Sequence, residues 1–195
     1  MSEKVTAIDR LNAELVRGGG THENATITGI YDIEVVRDGE VVHRSTHKNT
    51  VTTEGKRYLL DAALDNSAAG YTEQTAWYVA LVSTNTAAAA TYVYDTFLDG
   101  TTVPATEFVS YSGGARKGWT GVLDAGGAAS ITNSASRASF GITGSGTLYG
   151  ACLVSNATLS DHTAGDYLFS YSLFSSSIAV VNTDTVNVTV TIALS

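Results

Sequence analysis

The last eleven residues of the chain, 185–195, alternate strictly between aliphatic side chains and polar or small ones. Valine, isoleucine or leucine occupies every second position of this run, from Val186 to Leu194. Because successive side chains of a β-strand point to opposite faces, the period of two puts all five aliphatic residues on one face. A strand this regular at an open sheet edge would promote aggregation, so we expect another strand or another subunit to cover it. We therefore expect the chain to end inside a fold built from strands.

The composition favours one ordered domain that is rich in strands. Of the 195 residues, 44% are hydrophobic and 15% are charged, and the chain has 19 glycines and one proline. This length suits a single domain that buries a core without help from disulfides or metals. Few charges together with many β-branched and hydroxyl residues are typical of pleated, half-buried surfaces and disfavour disorder. We therefore expect an all-β domain.

Charge and sequence pattern also limit the partners. The net charge is −8, and eleven Lys and Arg residues are spread thinly along the chain, which disfavours nucleic-acid binding. The first residues lack the basic stretch and apolar run of a signal peptide, and no run reaches the roughly 18 apolar residues of a membrane span. Cys152 is the only cysteine, so one chain can form neither a disulfide nor a cysteine-based metal site. We expect a soluble protein made in a cytoplasm, without a cofactor and without a membrane as partner.

Residues 1–20 differ in pattern from the β-sandwich domain predicted over residues 21–195. Their apolar side chains follow the spacing of one helical face at Val5, Ile8, Leu11 and Leu15. Three consecutive glycines, Gly18 to Gly20, end this pattern and can act as a hinge. Because an isolated helix of about 15 residues is marginal in water, its apolar stripe needs a surface to pack against. That surface can belong to its own domain or to a neighbouring subunit, which the helix would then reach as an arm.

Two local motifs predict specific elements. Asp38-Gly39 separates two alternating runs, which is the strongest short-range signal for a β-hairpin. Further along, Thr52 and Thr53 with an early Glu54 precede Leu59, Leu60, Ala63 and Leu64. A threonine cap and an acidic first turn favour one short helix of about three turns here.

The rest of the chain predicts further strands around one irregular segment. The run 77–83 is apolar and rich in aromatic and β-branched residues, which indicates a strand near the centre of the core, whereas 84–106 is a long excursion with weak local structure. The other candidate strands are 107–111 with its continuation 115–119, the surroundings of Ile131 and Ala135, and 140–142, 148–154 and 167–174. Eight to ten short strands predict an antiparallel β-sandwich or jelly-roll-like fold. Too few helical segments remain for parallel crossovers.

The histidines do not predict a metal site. His43 and His47 lie four residues apart on one predicted strand face, which separates their backbones by about 13 Å. We do not expect both to bind one metal ion directly, and a solvated strand end is the simpler interpretation.

The acidic and hydroxyl residues give little support for catalysis. Asp32 with Glu34, or Asp38 with Glu40, could form the carboxylate pair of a glycosidase. Both pairs fall on or beside the predicted hairpin, where solvated charge is more common. The chain has no Gly-x-Ser-x-Gly elbow between a strand and a helix, so nucleophilic catalysis is not indicated either. We expect no enzymatic activity.

Six segments together carry a resemblance to known proteins. They are NTVTTEGKRYLLD (49–61), WYVALV (77–82), YSGGAR (111–116), ITNSAS (131–136), GACLVSN (150–156) and DTVNVTV (184–190). In this order they resemble a group of structural proteins of tailed-bacteriophage virions, from about Tyr31 to the C-terminus. The resemblance implies a β-sandwich that decorates and cements the outside of the capsid shell, and a location in the virion after assembly in the bacterial cytoplasm. It implies the major capsid protein as a partner, and capsid symmetry favours a dimer or trimer of the chain itself.

Three functions remain open at this stage. We favour capsid decoration, which needs an apolar contact surface and an extended element that clasps neighbours. A tail or baseplate protein that binds a host-surface glycan would instead gather aromatic side chains in an exposed groove. A glycan-degrading enzyme would need two carboxylates roughly 5 to 10 Å apart in a cleft. The candidate partner-binding residues are Val5, Ile8, Leu11, Leu15, Tyr92, Tyr94 and Trp119.

Overall fold

A computed structural model describes residues 26–64, 71–99, 102 and 105–195. The strands are β1 (Ile27–Arg37), β2 (Glu40–Lys48), β3 (Thr50–Val51), β4 (Trp77–Val82), β5 (Lys117–Trp119), β6 (Val122–Leu123), β7 (Ser130–Thr132), β8 (Ala138–Gly141), β9 (Gly146–Val154), β10 (Leu168–Val180) and β11 (Thr185–Leu194). The helices are α1 (Thr53–Leu64) and α2 (Tyr94–Phe97). The helix predicted within residues 1–20 lies outside the described residues.

The strands form two antiparallel sheets. Sheet A has the order β2-β1-β11-β7-β6, with β8 also paired to β11, and sheet B has the order β3-β10-β9-β4-β5. Their inner faces share one hydrophobic cluster, to which Tyr31 and Val188 contribute from sheet A and Leu81 and Leu153 from sheet B. The hydroxyl of Tyr31 crosses the interior and lies 2.8 Å from the hydroxyl of Ser170 in β10. The predicted all-β sandwich is confirmed.

Strand β11 lies inside sheet A, as its alternating pattern indicated. It pairs with β1 along one side and with β7 and β8 along the other. Val186, Val188 and Val190 are fully buried, whereas Leu194 at the end of the strand is about half exposed. Burial of one face and pairing along both sides explain why so regular an apolar pattern is needed here.

The predicted hairpin and the predicted helix are both present. Asp38 and Gly39 have φ values of 51° and 84°, the left-handed geometry of a two-residue hairpin turn between β1 and β2. At the start of α1, the hydroxyl of Thr52 accepts a hydrogen bond of 2.9 Å from the backbone N–H of Gly55. This is the threonine cap that the sequence predicted.

Sheet B is buried on both faces, which explains its long apolar runs. Alternate residues of β4 and β9, among them Ala80 and Cys152, belong to a second cluster on the outer face of the sheet. The irregular segment that follows β4 covers this face and contributes Tyr94 and Phe97 from α2. Cys152 is fully buried there, and burial raises the pKa of its thiol to about 12. The segment expected to be a loose excursion thus supplies the second core.

Two predicted strands are absent from the described structure. Residues 107–111 make only isolated bridges, from Glu107 to Val82 of sheet B and from Tyr111 to Ile142 beyond β8. Because this segment crosses from one sheet to the other, it cannot pair continuously with either. Ala135 lies in a turn between β7 and β8, where the N–H of Ser136 donates to the carbonyl of Asn133.

Candidate functional site

The aromatic residues predicted to bind a partner do not form one group. Tyr92 and Tyr94 pack on the outer face of sheet B, whereas Trp119 packs against the cluster between the sheets. The exposed aromatic groove of a glycan-binding protein is therefore not formed by these three side chains. Val5, Ile8, Leu11 and Leu15 lie outside the described residues.

Tyr94 and Tyr92 have structural contacts. Tyr94 is only 2% exposed, and its hydroxyl accepts a hydrogen bond of 2.7 Å from Nη1 of Arg116. Tyr92 is half-buried against Phe97, with ring centroids 5.2 Å apart, and its hydroxyl donates to the carbonyl of Ala87. Burial therefore keeps the Tyr94 ring away from any partner.

Arg116 forms a buried ion pair that sequence reasoning missed. Its Nε and Nη2 donate to the two carboxylate oxygens of Glu107 at 2.9 and 3.0 Å, and both side chains are excluded from solvent. The same guanidinium donates to the carbonyls of Asn156 and Asp161. Burial alone would lower the pKa of Arg116, but the hydrogen bonds and charge of Glu107 raise it above its ordinary value. The only available signal was an arginine next to the Gly113-Gly114 turn, which does not identify a partner.

Of the two candidate glycosidase pairs, Asp32 and Glu34 are engaged by other side chains on the outer face of sheet A. Glu34 accepts bonds from Arg44 at 2.8 Å and from Arg137 at 3.0 Å. Burial raises the pKa of Glu34, but the hydrogen bond from Arg44 and its other polar contacts lower it to a net value below the ordinary one. A general acid needs the opposite shift. Asp32 accepts a hydrogen bond of 2.5 Å from the Thr46 hydroxyl, while Asp38 occupies the hairpin turn.

His43 and His47 converge on one hydroxyl group. Their Nε2 atoms lie 2.9 and 2.8 Å from the Oγ of Ser45, although their backbones are four residues apart. The buried ring of His47 stacks on Phe174 at 4.6 Å, and its Nδ1 accepts a bond from the N–H of Ser175. Burial lowers the pKa of His47, and the neighbouring His43 lowers it further. In the described part of the chain, no group of three or more His, Cys, Asp or Glu residues is placed to hold a metal ion.

An apolar cavity of about 410 Å³ opens at one end of the sandwich. Its lining includes Trp77 and Trp119 from sheet B, Ile27 and Ile131 from sheet A, and Leu59 from α1, with no charged side chain. The indole N–H of Trp119 donates to the carbonyl of Val190 at 3.2 Å, which fixes the ring against the opposite sheet. This apolar cavity can bind hydrophobic side chains, and its lining contains no His, Cys, Asp, Glu, Lys or Arg.

The described chain begins and ends at the rim of this cavity. Thr26 and Ser195 exchange two backbone hydrogen bonds, of 2.7 and 3.0 Å, and their neighbours Ile27 and Leu194 line the cavity. Leu123 of β6 also lines it and is 73% exposed. Large apolar side chains thus surround the opening.

A second apolar surface lies on the solvent side of α1. We call it the α1 outer face; it consists of Arg57, Leu60, Asp61, Leu64 and Tyr71. Leu60 is 61% exposed and Leu64 is 79% exposed, so two large apolar side chains of this helix face solvent. Arg57 lies over the ring of Tyr71 at 5.4 Å, and Asp61 accepts a bond of 2.8 Å from the Tyr71 N–H. The helix instead buries Gly55 and Tyr58, because these residues face β10 and the end of the sandwich.

No helix in the described ranges is long and apolar enough to span a membrane. Comparisons of the chain with protein-family models, with curated proteins and with solved structures gave no match.

Proposed function

We propose that this chain is a structural protein of a tailed-phage virion that decorates the outside of the capsid shell. The α1 outer face is the main support for this proposal. Leu60 and Leu64 are exposed to solvent there, although the opposite side of the same helix is buried against the sandwich. Exposed apolar side chains rimmed by charged ones are typical of protein interaction sites. Arg57 and Asp61 provide such a rim around Leu60 and Leu64.

The contacts that fix α1 against β10 support a role in docking. The Thr52 hydroxyl caps the helix and also donates to the carbonyl of Leu168 in β10. Gly55 lies so close to Phe169 that a β-carbon there would meet its backbone. A helix fixed in this way presents Leu60 and Leu64 in one geometry, so binding costs little conformational entropy.

The rest of the molecule is consistent with a structural function. The cavity at the end of the sandwich is apolar, and two of the carboxylates considered for catalysis, Glu34 and Asp32, are bound to arginine and threonine side chains. The resemblance of six ordered segments to virion structural proteins supports the same proposal. The partners would be the major capsid protein and further copies of this chain, arranged as a dimer or trimer on a symmetry axis of the shell.

The direct test is to mix the purified protein with capsids assembled without it and to examine them by cryo-electron microscopy. We expect added density at fixed, symmetry-related sites on the outer surface. A bare shell at protein concentrations well above the site concentration would contradict the proposal. Sedimentation velocity of the free protein would report the oligomer, and a monomer at all concentrations would contradict the dimer or trimer.

Two variants test the docking surface. Leu60→Asp combined with Leu64→Asp should lower shell affinity at least about tenfold, because each leucine that becomes buried at the contact is replaced by a charge that lacks a partner there. Val42→Asp is the matched control, since Val42 is 51% exposed and lies near the hairpin turn, at the opposite end of β2 from the end that leads to β3 and α1. Equal binding of both variants would show that the α1 outer face is not the contact. Cooperative unfolding of each variant verifies that the sandwich is intact.

A further inference from the structure

The apolar cavity at the end of the sandwich is open, and the described chain contains nothing that covers it. We propose that the N-terminal segment of the same chain fills it, with Val5, Ile8, Leu11 and Leu15 as the side chains that enter or cover it. This proposal concerns the free protein and does not depend on attachment to a shell.

The chemistry of the cavity matches that of the segment. A cavity of about 410 Å³ with no charged lining side chain selects apolar groups. An apolar cavity of about 150 Å³ already accommodates benzene, so this one has room for about two or three side chains of similar size. The segment carries four aliphatic residues at the spacing of one helical face. Burying them would also stabilise a helix that is too short to persist alone.

The place where the described chain begins favours the N-terminal segment, rather than an unrelated partner, as the occupant of the cavity. Thr26 is hydrogen-bonded to Ser195 at the rim, and the next residue, Ile27, already lines the cavity. The N-terminal segment therefore enters the fold at the opening itself. Ten residues separate Leu15 from Thr26, and such a length spans up to about 35 Å when extended. This length is sufficient for Leu15 to reach the cavity. Gly18 to Gly20 can adopt the backbone conformations that are needed for the chain to fold back onto it.

Connectivity also favours the chain's own segment over that of a second copy. A segment tethered by a short flexible linker has an effective concentration in the millimolar range at its own cavity. The entropic cost of closing a longer loop rises only slowly with its length. A second copy would have to be present at comparable concentration to compete. We therefore expect occupancy that does not change on dilution.

The two tryptophans of the chain are built-in probes. Trp77 and Trp119 are its only tryptophans, and both line the cavity. Their emission and their quenching by acrylamide therefore report whether the cavity is filled. In the unaltered full-length protein we expect blue-shifted emission and weak quenching, both unchanged between about 100 and 0.1 μM protein.

Matched variants test whether the apolar residues of the segment are what shield the two tryptophans from the quencher. Ile8→Asn with Leu11→Asn should shift the emission to the red and increase quenching at least twofold. Thr6→Asn with Arg10→Asn lies on the opposite side of the same helical pattern and should leave both unchanged. Removal of residues 2–17 should act like the first variant, and addition of a peptide of residues 1–17 should restore the blue-shifted emission.

Two results would overturn the proposal. Strong quenching in the unaltered protein would show that the cavity stays open, and this measurement needs no variant that might fail to fold. Protection that disappears on dilution would show that a second copy supplies the segment. Failure of shell attachment, in contrast, would leave these fluorescence results unaffected, so the two proposals can fail separately.

Discussion

Arg116 and Glu107 form a bidentate ion pair that is buried away from water. The guanidinium donates to both carboxylate oxygens, at 2.9 and 3.0 Å, and the two side chains are 0% and 1% exposed. The remaining donors of Arg116 reach Tyr94 and two carbonyls of the segment 156–161. The N–H of Ser160 donates to Glu107 as well. Three segments without long strands are thus held together by one buried pair.

Breaking this pair should be costly. Arg116→Met leaves the Glu107 carboxylate buried without its partner, and we expect a loss of about 3–5 kcal/mol in the free energy of unfolding. Urea unfolding measures the change. Arg137→Met is the control, because Arg137 is an exposed partner of Glu34, and its loss should cost less than about 1 kcal/mol. Similar losses in the two variants would show that the buried pair contributes little.

Gly55→Ala should destabilise the protein, although alanine favours helices. In an unconstrained helix this change gains up to about 1 kcal/mol. Here the new β-carbon would press against the carbonyl oxygen of Phe169 and lie 2.8 Å from its Cα, and neither is a flexible group. We expect a loss of about 1–3 kcal/mol from overpacking. Thermal unfolding tests the sign, with the exposed Lys56→Ala as the control that should stay near zero; a stabilised Gly55→Ala would refute the close approach.

Val188→Asp tests the faces of the terminal strand. Val188 is fully buried between the sheets, so the carboxylate would lose its hydration without gaining a partner. We expect a loss of several kcal/mol, or failure to fold at 37 °C. Val188→Thr keeps the shape and separates the effect of charge from that of packing; it should cost less than the aspartate. Wild-type stability in Val188→Asp would mean that the strand faces are reversed.

His47 should make the protein less stable in mild acid. Burial lowers its pKa in the folded state, and the pKa of the unfolded chain is about 6.5. The unfolded chain therefore takes up the proton first, so this contribution to stability is complete above about pH 6.5 and is lost as the pH falls below it. Protonation would also remove the Nδ1 acceptor of the Ser175 N–H.

The comparison that isolates this effect is the pH dependence of unfolding in wild type and in His47→Asn. Between pH 7 and 5 the wild type should lose more stability than the variant, by at most about 1.4 kcal/mol per pH unit. Groups that titrate in both proteins cancel in the difference. Parallel curves would show that His47 binds protons equally in the folded and unfolded states.

Local rules determined much of the fold in advance. The period of two in 185–195 assigned the buried face of β11, because alternation is a property of the strand backbone itself. The Asp38-Gly39 turn and the Thr52 cap are likewise set by a few neighbouring residues, and both appear where predicted. Each of these features depends on contacts only a few positions apart.

Tertiary structure decided the features that join distant segments. The side of α1 that is buried depends on how Gly55 meets β10, and this packing leaves Leu60 and Leu64 exposed. The pairing of Arg116 with Glu107 and the meeting of His43 and His47 at Ser45 follow from side-chain directions that local pattern does not encode. The apolar cavity is built from strands of both sheets and one helix, so no window of sequence contains it. Alternation and capping act between neighbours, whereas a surface arises only once segments a hundred residues apart have packed together.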